Sequence, residues 1–186
     1  LEPQEEPELE VKASCLVIGG GVSGLTAALS MADQGFKVYL VERTNRLGGL
    51  AGRLHKVYPT LQEASTITEP LIRRVEDHRN IEVYRSTSLK DISGYVGSFH
   101  VTALREGGEL KLDVGTIIVA SGSLNYQPPK GLYQYGVYPN VVTQLELEEM
   151  MREGRLGKLD RVVMVQCVGS RKGEIWTYEL SDLTQS

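Results

Sequence analysis

Four apolar residues, Cys15-Leu16-Val17-Ile18, run directly into Gly19-Gly20-Gly21-Val22-Ser23-Gly24, and an acidic residue, Glu42, stands where the next strand should end. Each glycine of the G-x-G-x-x-G spacing has its own task. Gly19 permits the tight turn out of the strand. Gly21 lets the backbone approach a pyrophosphate with no Cβ in the way, and Gly24 lets a helix pack closely on the sheet. A helix that opens at Val22 and Ser23 offers unpaired N–H groups and a partial positive charge to phosphate. The Glu42 carboxylate can accept both hydroxyls of an adenosine ribose and repels a 2′-phosphate, which disfavours NADP. The chemistry these residues point to is the holding of an ADP-containing dinucleotide.

Hydrophobic periodicity supplies the framework that carries them. Residues 14–18 predict a short buried strand. Val22, Leu25, Ala28, Leu29 and Ala32 recur at helical spacing over 22–34, with Gly35 placed as the C-terminal cap. Residues 37–41 predict the second strand, and the three elements make a βαβ unit with a right-handed crossover and a parallel sheet. Residues 45–58 read as a loop. Pro70 suits the first turn of a helix running to about His78, and 81–84 predict another strand. Short strands over 89–92, 98–104 and 110–114, with turns at Ser93-Gly94 and Glu106-Gly107-Gly108, predict an antiparallel meander. Residues 116–120 return to a buried strand that ends in Ser121-Gly122. A loop over 127–140, a helix over 145–155 and a buried strand over 161–167 complete the pattern. The fold class is α/β, a parallel sheet with an inserted β-meander. Residues 1–12, acidic and Pro-containing, read as a linker or tail, 13–144 as the nucleotide-binding domain, and 145–186 as the start of a second nucleotide-fold domain or an extension.

A length of 186 residues suits one domain or little more, and 41% hydrophobic residues suffice for a core. A net charge of −4 argues against a nucleic-acid footprint. No apolar run is long enough to span a membrane, and two distant cysteines make neither a disulfide framework nor a four-thiolate iron–sulfur site. A reducing, cytoplasmic location is the expectation. The chain opens on Leu1 rather than Met, which suggests a fragment or processing. His78 and His100 have no metal-type neighbours in sequence, so no metal site is expected.

The residues after Glu42 separate FAD from NAD. Arg43-Thr44-Asn45-Arg46-Leu47-Gly48-Gly49-Leu50 puts a second glycine pair shortly after the acidic residue, and Ala120-Ser121-Gly122 closes a later apolar strand. This order resembles the two-dinucleotide-binding flavoproteins, where the second glycine pair adds amide contacts to the FAD pyrophosphate. Their usual Ala-Thr-Gly is here Ala-Ser-Gly, which keeps the hydroxyl. The sequence further resembles the A-type flavoprotein subunit of heterodisulfide reductase, whose flavin part is like thioredoxin reductase. The resemblance rests on Leu16 to Gly21, Leu47-Gly48-Gly49, Gly94-Tyr95-Val96-Gly97-Ser98-Phe99, Asn140-Val141-Val142-Thr143 and Gln166-Cys167-Val168-Gly169-Ser170-Arg171. It covers roughly 12–171. It implies a Rossmann-like FAD-binding domain that passes electrons between protein partners, iron–sulfur proteins among them. With the glycines and Glu42, it makes Val22, Ser23, Arg43, Leu50 and Leu89 candidate cofactor contacts, together with Ala120, Ser121 and Gly122. The departures are specific. Tyr58-Pro59-Thr60-Leu61 is not followed by the cysteine many members carry, 104–114 is a plain hairpin where many have a ferredoxin-like insertion, and no cysteine-rich run follows Arg171.

Other residues invite chemistry less strongly. Arg53, His55 and Lys56 follow the second glycine pair, where a cation would stabilise an anionic reduced flavin, or simply face solvent. Cys15 reads as packing. Cys167 is a redox thiol or, as the favoured reading, a small buried residue. Tyr126, Tyr133, Tyr135 and Tyr138 flank a ligand or cover a core edge. With no second G-x-G-x-x-G, no separate nicotinamide site is expected. Catalytic residues are not identified. A non-catalytic nucleotide-binding or assembly module and an NAD-binding domain are the competing readings.

Overall fold

Leu16 and Cys15 are neighbours in sequence yet belong to different hydrophobic cores, and that division organises the molecule. The computed structural model describes residues 11–169. The sequence expectations for 1–10 and for the stretch beyond 169 lie outside the described residues. Contacts divide the chain into two units, one ending at Ser123 and the other beginning at Leu124.

The first unit is built on a four-stranded sheet of β1 (Ser14–Ile18), β2 (Lys37–Val41), β5 (Ile81–Tyr84) and β9 (Thr116–Val119), in the order β5-β2-β1-β9 and parallel throughout. Strand side chains alternate between faces. Cys15, Val17, Val38, Leu40 and Ile81 therefore point to one side, where they meet Leu25, Ala28, Leu29 and Ala32 of α1 (Val22–Asp33) and Val75 of α2 (Ala64–Glu76). Leu16 and Val41 point to the other side and meet Val101, Leu112 and Val114. Those residues come from the antiparallel meander β6 (Ser88–Tyr95), β7 (Ser98–Arg105) and β8 (Gly108–Val114). Coverage on both faces is why β1 reads as a continuous apolar run. The Gly115 amide donates to the Ser14 carbonyl at 3.0 Å, and the Gly97 amide donates to the Gly115 carbonyl at 2.8 Å, so the meander is stitched to the sheet. The plain hairpin expected over 104–114 is present, with Arg105 opposite Gly108.

Strand β9, expected to be buried, lies at the sheet edge with Thr116 and Val119 exposed, and four further local expectations need correction. The 45–58 loop carries a 3-10 turn over Ala51–Arg53 and leads into a small hairpin of β3 (Lys56–Val57) and β4 (Gln62–Glu63). Helix α2 starts at Ala64, so Pro70 lies inside it rather than in its first turn. Ala64, Thr68 and Val75 bury one face, and the Thr68 hydroxyl donates to the Ala64 carbonyl at 3.0 Å. Pro70 cannot donate to the Thr66 carbonyl, but both residues are exposed, where water can replace that bond. Gly94, expected in a turn, sits within β6 opposite Phe99 with φ +101°; the reversal falls at Val96-Gly97 instead.

The fourth correction lies in the second unit. Residues 161–167 form no strand, and Val162, Val163, Met164 and Val165 are 51–87% exposed. A strand requires a partner edge, and among the described residues none pairs with this segment. Helix α3 (Gln144–Arg152) is as expected. It opens with a capping box in which the Glu146 amide donates to Thr143 Oγ1 at 3.2 Å and the Thr143 amide to Glu146 Oε2 at 2.6 Å.

Candidate functional site

Helix α1 begins without any of the usual devices for satisfying its first N–H groups. Gly21 at the N-cap has no side chain to offer, no acidic residue lies in the first turn, and Val22 and Ser23 are exposed. The glycines around this end have distinct structural causes. Gly19 has φ +111°, its amide donates to the Val41 carbonyl at 2.8 Å, and a Cβ there would collide with the Ala120 carbonyl. A Cβ on Gly24 would collide with the Gly19 carbonyl and come within 3.4 Å of Ala120 Cβ. Gly21 differs. Its backbone is extended, with φ −76° and ψ 178°, and a Cβ would meet only Gly49 Cα, at 3.9 Å. Nothing in the fold itself demands glycine at 21.

The second glycine pair lies against the first. The Gly48 amide donates to the Gly20 carbonyl at 2.8 Å, Gly21 and Gly48 form a parallel bridge, and Gly49 takes φ +56°. A Cβ on Gly49 would approach Gly21 Cα to 2.8 Å, so the closeness of the two turns depends on that glycine. Leu50 is exposed beside it. Ala120 donates its amide to the Ile18 carbonyl at 2.8 Å, which holds Ala120-Ser121 against Gly19 and Gly24; Gly122 follows with φ +70° and open space around it.

Glu42 joins this cluster through its side chain. Oε2 accepts the Gly20 amide at 2.7 Å, and Oε1 accepts both the Thr44 amide and the Thr44 hydroxyl at 2.8 Å. The structure therefore brings Gly19 to Gly24, Glu42, Gly48-Gly49 and Ala120-Ser121 to one end of the parallel sheet, beyond the carboxyl ends of β1, β2 and β9, where open α/β sheets bind ligands. Arg43 is an exposed neighbour on the same turn. Leu89 stands apart from the glycine turns: it is half-buried and packs on the core beneath the meander.

Thr44 and the Gly20 amide both hold Glu42, and neither stands out in the sequence. The one signal for Thr44 is a hydroxyl residue two positions after an acidic one, a spacing at which side-chain-to-backbone turns form. Arg53 and Lys56 are exposed and His55 half-buried, on the turn and hairpin after the second glycine pair. Cys15 is fully buried, its thiol 3.6 Å from the Leu16 carbonyl, and burial pushes its pKa up, consistent with packing. Cys167 is exposed with φ +61°, which overturns its reading as a buried residue: the strand that would have enclosed it does not form. Of the four tyrosines of the second unit, Tyr135 and Tyr138 line a cavity of about 420 Å³ with Pro139 and Glu146, whereas Tyr126 and Tyr133 are exposed and do not line it. Tyr135 donates to Glu146 Oε1 at 2.8 Å, and that bond raises its phenol pKa. His78 is taken up by the Asn80 amide on Nδ1 at 3.2 Å and by Asp33 near Nε2 at 3.3 Å; His100 pairs with Asp113 at 2.7 Å. Among the described residues no group of three or more His, Cys, Asp or Glu side chains could hold a metal ion.

The chain matches the model of the pyridine nucleotide-disulphide oxidoreductases over residues 13–165. It belongs to that family. Membership, together with the parallel sheet and antiparallel meander, bears out a flavin-dependent oxidoreductase domain. Among known proteins it is similar to an iron-sulfur subunit of CoB--CoM heterodisulfide reductase from Methanopyrus kandleri, 32% identical over 92% of this chain and 39% of that protein. It is 30% identical to the corresponding subunit from Methanocaldococcus jannaschii, over 94% of this chain and 40% of that one. The resemblance to the heterodisulfide reductase flavoproteins is thus borne out. The chain spans about two fifths of the length of these relatives. The match to the first extends over 261 residues, longer than the 186 of this chain, so that relative carries additional residues inside it. Among solved structures, L-proline dehydrogenase from P. horikoshii superposes with a TM-score of 0.56 at 25% identity, covering 66% of this chain and 25% of that one. Thioredoxin reductase from T. acidophilum gives 0.52 at 17% identity, covering 61% and 36%, which shows the fold.

Proposed function

We propose that this chain is the FAD-holding part of an electron-transfer flavoprotein of the heterodisulfide reductase type. The observation that carries the reading is Gly21. The fold leaves room for a side chain there, so no contact within the protein requires glycine, and a Cβ-free backbone beside the uncapped first turn of α1 suits the close approach of a diphosphate.

The residues divide the work. The first-turn amides of α1, Val22, Ser23 and Gly24 among them, and those of Gly49 and Leu50 across from Gly21, donate to the two phosphates. Gly19, Gly24, Ala120 and Ser121 hold the helix and strand ends close enough to form that cradle, and Gly122 gives the chain an open turn next to it. Gly48 ties the two turns together. Glu42 accepts from the adenosine ribose and repels a 2′-phosphate. Arg43 is an exposed cation beside the same sugar. Leu89 contributes through its backbone, since its side chain is committed to the core. When bound, FAD supplies the reversible electron chemistry of its isoalloxazine, and the protein sets position and polarity around it. Arg53, His55 and Lys56 are the cations on the segment that follows the cradle, where positive charge would favour the reduced anion.

The relatives are named as iron–sulfur subunits of heterodisulfide reductase, and on this reading the chain exchanges electrons with iron–sulfur proteins of such a complex; the two widely separated cysteines suit a reducing cytoplasm. No described helix is long and apolar enough to cross a membrane. The FAD-holding part spans 13–144. The test is a visible spectrum of the purified chain after incubation with FAD and removal of the excess. Retained flavin absorbance, bleached by a reduced ferredoxin, supports the proposal. A colourless protein that binds NADH refutes the cofactor assignment, and bound flavin that no donor reduces refutes electron transfer.

A further inference from the structure

Glu42 holds more of its own chain than a ribose-binding carboxylate requires. Its two oxygens accept three donors: the Gly20 amide on Oε2, and the amide and hydroxyl of Thr44 on Oε1. A carboxylate offers about four acceptor positions, so one is left, on Oε2. Thr44 is held in turn. Its carbonyl accepts the Ser86 amide at 2.9 Å. Its hydroxyl lies 2.8 Å from Glu42 Oε1 and 2.9 Å from the Arg46 carbonyl, and its single proton favours the charged acceptor. The Glu42 backbone is fixed on both sides, donating to the Tyr84 carbonyl at 2.8 Å and accepting the Thr87 amide at 2.9 Å.

We propose that Thr44 is a positioning residue for the nucleotide: its amide and hydroxyl lock the Glu42 carboxylate so that a single acceptor position, on Oε2, is left to read one hydroxyl of the adenosine ribose. This rests on the FAD reading above and narrows it from the ribose as a whole to one of its hydroxyls. The lock also removes the side-chain freedom that Glu42 would otherwise lose on binding, so it contributes affinity without touching the ligand.

The test uses the full chain with FAD, ADP, 2′-deoxy-ADP and 3′-deoxy-ADP, with dissociation constants from equilibrium titration. One deoxy analogue binds within about twofold of ADP and the other about tenfold more weakly, the loss of one charge-assisted hydrogen bond. Thr44→Val weakens FAD and ADP by roughly five- to tenfold, Thr44→Ser restores binding, and the deficit of Thr44→Val vanishes with the weaker deoxy analogue. Equal losses for both analogues, or no loss for either, overturn the single-hydroxyl reading, and this comparison needs no variant to fold. Thr44→Val binding like the wild type, or weakening all ligands alike, overturns the positioning role. If the wild type binds ADP and not FAD, the cofactor reading fails while this one stands on ADP; if it binds neither, both fail.

Discussion

Replacing Gly21 by alanine should leave the fold intact and disable the cradle. The backbone at 21, φ −76° and ψ 178°, is open to any residue, and the added methyl would find only Gly49 Cα at 3.9 Å. Restricting the unfolded chain gains about 0.4–1 kcal/mol, and alanine is a poorer N-cap than glycine by a similar amount. The net change is about 1 kcal/mol or less, a shift in Tm of about 2–4 °C at most for a chain of this size. The same methyl projects into the space assigned to the diphosphate, so FAD affinity falls at least about tenfold, the worth of roughly 1.4 kcal/mol. Gly24→Ala is the contrast, since its methyl collides with the Gly19 carbonyl, a backbone atom that cannot swing away. Overpacking of that kind costs about 3 kcal/mol, a loss of roughly 6–12 °C in Tm. Thermal unfolding followed by circular dichroism, alongside flavin absorbance after gel filtration, measures both effects. If Gly21→Ala retains FAD with wild-type affinity, the argument that this glycine answers to a ligand is wrong.

Burial and charge lead to two further outcomes. Iodoacetamide should label the native chain at Cys167 alone, because Cys15 is buried and its thiol pKa is raised; mass spectrometry should find the second adduct only after denaturation, and rapid native labelling of Cys15 would contradict its placement. Burial and the hydrogen bond to Glu82 raise the Tyr84 phenol from 10.0 to about 12. The folded state therefore favours the neutral phenol, and its contribution, fully present below about pH 10, is lost as pH rises towards 12. Urea unfolding should show the stability gap between wild type and Tyr84→Phe shrinking over that interval, and a constant gap would refute the shift.

The parts of the site that are legible in the sequence are those set by single residues acting on their own backbone. The spacing of Gly19, Gly21 and Gly24 between an apolar strand and a helical pattern locates the turn, and the run over 14–18 reads as buried because the sheet is covered on both faces. What the sequence conceals depends on partners brought from elsewhere. Pro70 is a strong local signal for a helix start, yet burial of Ala64 and Thr68 extends α2 past it on the side facing the core. The valines at 162, 163 and 165 have the composition of a strand, but no edge among the described residues receives them. Leu89 carries a motif position while its side chain belongs to the core. Glu42 is recognisable by position, whereas its engagement by Gly20 and Thr44 is a matter of geometry that spacing alone does not display.

The claim on which the account depends is that one diphosphate lies between the first turn of α1 and the turn at Gly48-Gly49. Titrating the isotopically labelled chain with FAD and following its amide NMR resonances tests this directly. The amides of Gly21, Val22, Ser23, Gly24, Gly49 and Leu50 should show the largest shifts and slow in hydrogen exchange together at a single saturation point. Saturation that leaves these six amides unmoved, with the perturbation elsewhere in the chain, would contradict it.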